Sequence, residues 1–200
     1  MNVQQFLSLT NQKFNIILAD PPWFYNDRKL FRKDNPEKKN KFGMGVCNHY
    51  STMKPEEIYA LPVRRIADKN CYCFLWCTMP NLEIGLKTLS SWGFKYITTP
   101  FVWVKTNSKS KTIYMGPGNY TMANAEVVLL GRVGKTLKRE RKDIRSVILA
   151  PRREHSRKPP EVKKSIECLL GDLPRVELFS CEETEGWCCV GDQIGKYERS

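Results

Sequence analysis

Asp20, Pro21, Pro22 and Trp23 stand together where the apolar run of "FNIILADPPWFYNDR" (14–28) stops, and Phe24 and Tyr25 follow at once. Proline fixes φ near about −65° and has no amide hydrogen, so two in succession make a stiff turn whose carbonyls have set directions. A carboxylate and a directed carbonyl can accept both hydrogens of a planar exocyclic amine. Flat rings beside them can hold a base, at roughly 1–3 kcal/mol per stacked base. Holding the amine this way draws its lone pair out of conjugation and makes the nitrogen a better nucleophile, which is positioning and electrostatics rather than strong-base chemistry. An ordinary strand end with a proline turn accounts for the prolines and one docked ring. It leaves unexplained an acid beside three aromatics and a basic segment.

Placing these residues requires a strand over 14–19, and further strand-like runs lie at 71–77, 96–104, 125–131, 146–150, 175–180 and 187–191. Helical patterns cover 54–67, with Pro62 a break and Thr52 or Ser51 a cap, then 81–93 and 160–171, the last ended by Gly171. Continuous apolar strands separated by helices predict an α/β fold with a mostly parallel sheet covered on both faces. Asp20 then lies just past the carboxyl end of its strand, the edge at which open α/β sheets bind ligands. The long connections 24–49 and 105–123 are expected to be functional or mobile.

The 200 residues suit a single domain with a sizeable core, and no apolar run of about 18 residues suggests a membrane span. "MNVQQFLSLTNQK" lacks the layout of a secretory signal, so a cytoplasmic or nuclear location is expected. In that setting the eight cysteines read as reduced thiols. Cys71, Cys73 and Cys77 share one strand face, and buried thiols are favoured over a metal site.

The net charge of +12 is concentrated in two segments, 132–164 and 27–41. Such one-signed runs with little apolar period suit loops that meet a polyanion, although a charge run is by default a solvated surface.

With these residues in view, "ADPPW" resembles the Asp-Pro-Pro-Trp motif of the MT-A70 family of N6-adenine methyltransferases. The stretches "HYSTMKPEEIYALPV", "FVWVKTN", "AEVVLLGRVG", "HSRKPPEV", "VELFS" and "WCCVGDQI" resemble further family blocks in family order. The resemblance implies a Rossmann-like class I methyltransferase fold whose catalytic motif precedes the cofactor-binding strand, with S-adenosyl-L-methionine as cofactor. It implies that Asp20 and the Pro21 carbonyl, on the turn made with Pro22, hold the adenine amine, and that Trp23, with Tyr25, packs the flipped base. Tyr50 and Lys105 are implied on the substrate side. Lys158 is implied to meet the methionine carboxylate, Glu177 and Phe179 to end the cofactor strand, and Asp192 with Gln193 to reach the ribose hydroxyls; Asp20 faces the cofactor as well. Asp192 stands where the best-known adenosine methyltransferases have Asn, and either side chain can meet a hydroxyl. There is no G-x-G-x-x-G stretch of the dinucleotide type, so the cofactor assignment rests on the resemblance.

The leading expectation is therefore methyl transfer to adenine N6 in nucleic acid. DNA is favoured over RNA because the compact chain, with no appended RNA module, resembles the bacterial and phage members. RNA methylation, a catalytically silent nucleic-acid scaffold of the same fold, and the same chemistry on cytosine or a glutamine side chain stay open. So does a homo- or heterodimer.

Overall fold

The computed structural model describes residues 1–24, 52–118, 120–154 and 156–197. Tyr25, Tyr50, Ser51, His155 and the basic segment 27–41 lie outside them.

A seven-stranded sheet organises these residues in the order β5-β3-β4-β2-β1-β6-β7. The strands are β1 (Phe14–Ala19), β2 (Ala67–Thr78), β3 (Lys95–Thr106), β4 (Ala125–Val133), β5 (Val147–Pro151), β6 (Arg175–Leu178) and β7 (Cys188–Val190). β1 lies parallel to β2 and β6, β6 to β7, and β3 to β5, while β4 runs antiparallel to both β2 and β3. Six strands thus point one way and β4 alone opposes them, so the mostly parallel sheet is present with one reversed member. That reversal follows from β3 and β4 being joined without a helix, since a parallel neighbour needs a crossover of a dozen or more residues, usually helical.

Alternation along β2 divides the core. Cys71, Cys73, Leu75 and Cys77 face one layer with α1 (Val3–Leu9), α2 (Pro55–Tyr59) and α3 (Leu82–Ser91), whereas Tyr72, Phe74 and Trp76 face the other with α4 (Glu161–Leu170). The shared face of the three cysteines is as the period of two requires, and burial raises the thiol pKa of all three.

Differences from the sequence reading are local. α1 has no counterpart in it; Asn2 caps this helix through its side chain, which accepts from the Gln5 N–H at 2.8 Å. The expected helix over 54–67 is α2 alone, followed by a 3-10 turn at Val63–Ile66, because Pro62 takes a non-helical conformation, and Ala67 already begins β2. Thr52 is not its cap residue: that position is Lys54, whose backbone N–H donates to the Glu57 carboxylate at 2.6 Å. Trp92 Nε1 donates to the Ile58 carbonyl at 2.7 Å, tying the end of α3 to α2.

The basic run beyond β4 is an anchored strap rather than a loose loop. Leu137 and Ile144 pack against the α4-side core, Glu140 N–H donates to the Leu169 carbonyl at 2.9 Å, and Lys135 N–H to Asn70 Oδ1 at 2.7 Å. It opens at Gly134, where φ is +70° and a β-carbon would fall 1.9 Å from the Lys69 carbonyl oxygen, so no larger residue fits that turn. Lys135, Lys138, Arg139, Arg141, Lys142 and Arg145 are exposed along the strap.

Candidate active site

β1 is flanked by β2 on one side and β6 on the other, so the chain order reverses across it. Such a switch point opens a crevice beyond the carboxyl ends of the strands. Asp20 sits there, its N–H directed at the Leu178 carbonyl of β6 at 3.4 Å. Lys105 at the end of β3, Glu126 at the start of the reversed β4, Arg152 after β5 and Glu177 on β6 are brought to the same edge.

Two clefts meet at Asp20. The larger, of about 360 Å³, is lined by Asp20, Trp23, Trp103, Lys105, Pro117 and Glu126, with Arg152, Arg153 and Lys158 at its wall. That volume falls within the roughly 300–1,000 Å³ of small-molecule sites. The narrower, of about 40 Å³, is bordered by Asp20, Lys158, Glu177, Phe179, Cys181 and Tyr197. Lys158 is shared by both.

A chain of alternating charges runs along this boundary. Lys158 Nζ is 2.8 Å from Asp20 Oδ2 and 3.3 Å from Glu126 Oε2, and Lys105 Nζ is 2.6 Å from Glu126 Oε1. Two acids and two lysines balance, as charges withdrawn from water must. Their pKa values move apart. Burial raises Asp20, and the nearby Glu126 and Glu177 add to this, so that the pull of Lys158 does not restore the ordinary value. Burial also works against the charge on Glu126, but Lys158 and Lys105 together outweigh it and hold Glu126 below its ordinary value. Paired carboxylates driven in opposite directions are a mark of functional sites.

The turn after Asp20 is tight. Trp23 N–H donates to the Pro21 carbonyl at 2.8 Å, a three-residue turn, and Met53 N–H donates to the Pro22 carbonyl at 2.9 Å. The Pro21 oxygen keeps a second lone pair. The rings do not stand exposed together. Trp23 is 5% exposed, packed in the core with Nε1 donating to the Trp76 carbonyl at 3.2 Å, and borders the larger cleft. Phe24 is 41% exposed and is not a core residue. The backbone bridge from Trp23 to Met53 turns the first ring inward, and successive residues of an extended chain face opposite ways.

On the narrower side, Glu177 is held by Lys163 Nζ at 2.7 Å and by the Ser180 hydroxyl, which donates to it at 2.7 Å. Phe179 takes φ of +65° just past β6, a conformation that is strained for a bulky side chain and concentrates at ligand sites. Arg157 pairs with Glu182 at 2.6 Å and lies 4.6 Å from the Tyr197 ring centre. Asp192 is exposed and borders neither cleft, while Gln193 Oε1 accepts from Lys196 Nζ at 3.1 Å. The structure thus brings Asp20, Trp23, Lys105, Lys158, Glu177 and Phe179 to the clefts and leaves Asp192 and Gln193 outside the linings of both.

Sequence reasoning gave Glu126 no role. Its signal was an acid opening an otherwise apolar strand, "NAEVVLLG". Arg152 and Arg153 were counted only as charge, and Trp103 and Pro117 carried no signal of their own.

A switch-point crevice, a carboxylate at its strand end and two adjoining clefts define an α/β fold of the Rossmann-like methyltransferase class. The chain belongs to the MT-A70 family, whose match spans residues 14–193. It is 31% identical over 196 residues to the Type II methyltransferase M.MunI of Mycoplasma sp, covering 94% of this chain and 81% of that protein. It is 30% identical over 194 residues to the N(6)-adenosine-methyltransferase MT-A70-like protein of Drosophila melanogaster, and 28% over 185 residues to the N(6)-adenosine-methyltransferase catalytic subunit METTL3 of Homo sapiens. The chain spans 28% of each of those two proteins. Among the described residues no helix is long and apolar enough to cross a membrane.

Proposed function

We propose that the protein transfers a methyl group from S-adenosyl-L-methionine to N6 of adenine in nucleic acid, with DNA the favoured polymer. The observation that carries this reading is Asp20, which faces both clefts, so one carboxylate can hold an amine on one side and border the donor on the other.

The residues of the narrower cleft fit the cofactor's chemistry. Its amino-acid end is a zwitterion, and Lys158 and Asp20 offer a cation and an anion 2.8 Å apart. At about 40 Å³ the cleft has room for roughly one water, so a larger group enters only if its side-chain wall, Tyr197 and the Arg157–Glu182 pair, moves aside. Glu177 and Phe179 border that space, and the resemblance assigns Asp192 and Gln193 to the ribose hydroxyls. The cofactor supplies an electrophilic methyl group on a sulfonium.

The target base enters the larger cleft against Trp23 and Trp103. Asp20 Oδ and the free lone pair of the Pro21 carbonyl accept the two amine hydrogens, aiming the nitrogen lone pair across the boundary. On transfer the methyl–sulfur bond of the donor would break as the N–C bond forms, its electron pair staying on a neutral thioether, and the nitrogen would shed one proton; Asp20, with its raised pKa, would take that proton and pass it to water. Lys158 would meet the cofactor carboxylate, its ammonium placed by Glu126 at 3.3 Å. Lys105 fixes Glu126 from the other side and lies 5.1 Å from the Trp103 ring centre, which keeps that ring in place beside the base. Tyr25 and Tyr50 are assigned to the base as well, from the resemblance alone. Arg152 and Arg153 at the cleft wall suit the phosphates that accompany the base.

DNA is favoured because the relative matched along most of both chains is the Type II methyltransferase, whereas the N(6)-adenosine-methyltransferases share about a quarter of their length with this chain. Parallel assays on single- and double-stranded DNA and RNA oligomers test the polymer. Faster transfer to DNA is expected, and transfer to RNA alone would reverse the assignment.

A further inference from the structure

We propose that the loop between Gly116 and Ala123 is a base-stacking element, in which Tyr120 supports the nucleobase next to the target as that target leaves its stack. This rests on the nucleic-acid reading above. The loop is closed by a reciprocal backbone pair, Gly116 N–H to the Ala123 carbonyl at 3.2 Å and Ala123 N–H to the Gly116 carbonyl at 2.9 Å. It is tight, since a β-carbon at Gly118 would lie 2.0 Å from the Thr121 carbonyl oxygen. It stands at the mouth of the larger cleft, because Pro117 lines that cleft together with Asp20 and Trp103. Its base is pinned there: Tyr114 N–H donates to the Lys105 carbonyl at 2.8 Å, and the Arg152 guanidinium lies 3.6 Å from the Tyr114 ring centre.

On this fixed support Tyr120 is fully exposed, with Met115 and Met122 also well exposed beside it. Ile113, Met115, Tyr120 and Met122 gather exposed apolar side chains in one short stretch, and such a gathering, unlike a lone exposed ring, marks an interaction surface. Residues 107–125 include the exposed Lys109 and Lys111 and no acid. A polynucleotide supplies a flat apolar face for the ring and phosphates for the lysines. An acidic peptide would satisfy the lysines and leave the ring without a flat partner, and a second copy of the chain would set like charge against like. Extruding a base costs stacking energy that an inserted or abutting side chain can restore.

The test uses the full chain with Tyr120→Ala and Tyr120→Phe, and oligonucleotides carrying 2-aminopurine beside adenine, as single strand and duplex. Stacking on Tyr120 predicts that the alanine variant binds about 5- to 150-fold more weakly, and that 2-aminopurine is brighter in its complex than in the wild-type complex. The phenylalanine variant is expected to match the wild type within about twofold, since it keeps the stacking face. Unchanged binding and fluorescence in Tyr120→Ala would overturn the proposal, as would an equal loss in Tyr120→Phe. A Tyr120→Ala variant that binds normally but turns from dimer to monomer would overturn it in favour of self-association. If Tyr120 governs binding and fluorescence while the wild type methylates nothing, stacking stands and the catalytic reading fails. Normal methyl transfer with a signal indifferent to Tyr120 overturns the stacking alone.

Discussion

Lys158 Nζ lies 2.8 Å from Asp20 Oδ2, so the acid that closes the first strand is held by a lysine almost at the end of the chain's long basic stretch. The pair forms the partition between the two clefts. Even so, the Asp20 pKa is raised, because burial and two nearby carboxylates outweigh the lysine.

That balance makes Asp20 a cost to folding at neutral pH. A carboxyl whose folded pKa exceeds its unfolded value binds protons more tightly when folded, so stability falls as pH rises from the unfolded value through the folded one. Above that window the penalty is fully present. Asp20→Asn is therefore expected to leave the melting temperature at pH 7 equal to or above that of the wild type while methyl transfer is lost. Calorimetry and a transfer assay check both, and a marked drop in melting temperature would contradict the balance.

Glu126 works in the opposite sense. Its lowered pKa contributes stability above the ordinary carboxylate range, lost as pH falls through the folded value. Glu126→Gln takes from Lys105 its carboxylate partner in a largely buried place, while Lys158 keeps Asp20, and is expected to cost about 3 kcal/mol. Denaturant titration measures this. The same change removes a like charge that raises Asp20, so the acid limb of the pH–rate profile should move to lower pH.

The strap 132–145 begins at the far edge of the sheet. Along β4, Glu126 pairs with Thr78 and Val133 with Cys71, and seven residues of strand are about 23 Å. Its lysines and arginines can touch a nucleic acid only away from the target base. Replacing Lys135, Arg139, Lys142 and Arg145 by Gln should reduce the slope of log K against log salt on duplex DNA by up to about 0.9 per lost phosphate contact, with kcat unchanged. An unaltered slope would show that the strap is solvated surface.

Trp23 has two duties that substitution separates. Trp23→Ala removes a core ring and is expected to cost about 3–5 kcal/mol. Trp23→Phe keeps a ring at the cleft and loses the hydrogen bond to the Trp76 carbonyl, so it should fold with a modest loss and retain transfer. Failure of Trp23→Phe in transfer with stability intact would show that the indole itself meets the base.

Much of this was legible in the sequence. The period of two along 71–77 placed three cysteines on one face, and the apolar strand before Asp20 put that acid at a carboxyl edge. Pro62 announced its break, but not that β2 would begin five residues later, because strand boundaries are set by pairing with β1 and β4. The apolar pattern of β4 reads alike in either direction, so the signal for its reversal was the helix-free connection 105–123 and not the strand itself. The role of Glu126 was hidden because it comes from two lysines distant in sequence, at 105 and 158. Which of the adjacent rings Trp23 and Phe24 turns inward was hidden, because one backbone bridge to Met53 decides it.

The central claim is that Asp20 holds an adenine amine for methylation. The most direct test incubates the chain with nucleic acid and S-adenosyl-L-methionine labelled on its methyl group, then identifies the labelled nucleoside by mass spectrometry. N6-methyladenine from the wild type and none from Asp20→Ala, with nucleic-acid binding largely retained, is the predicted result. Label on another base, no label on any polymer, or undiminished turnover by Asp20→Ala would contradict it.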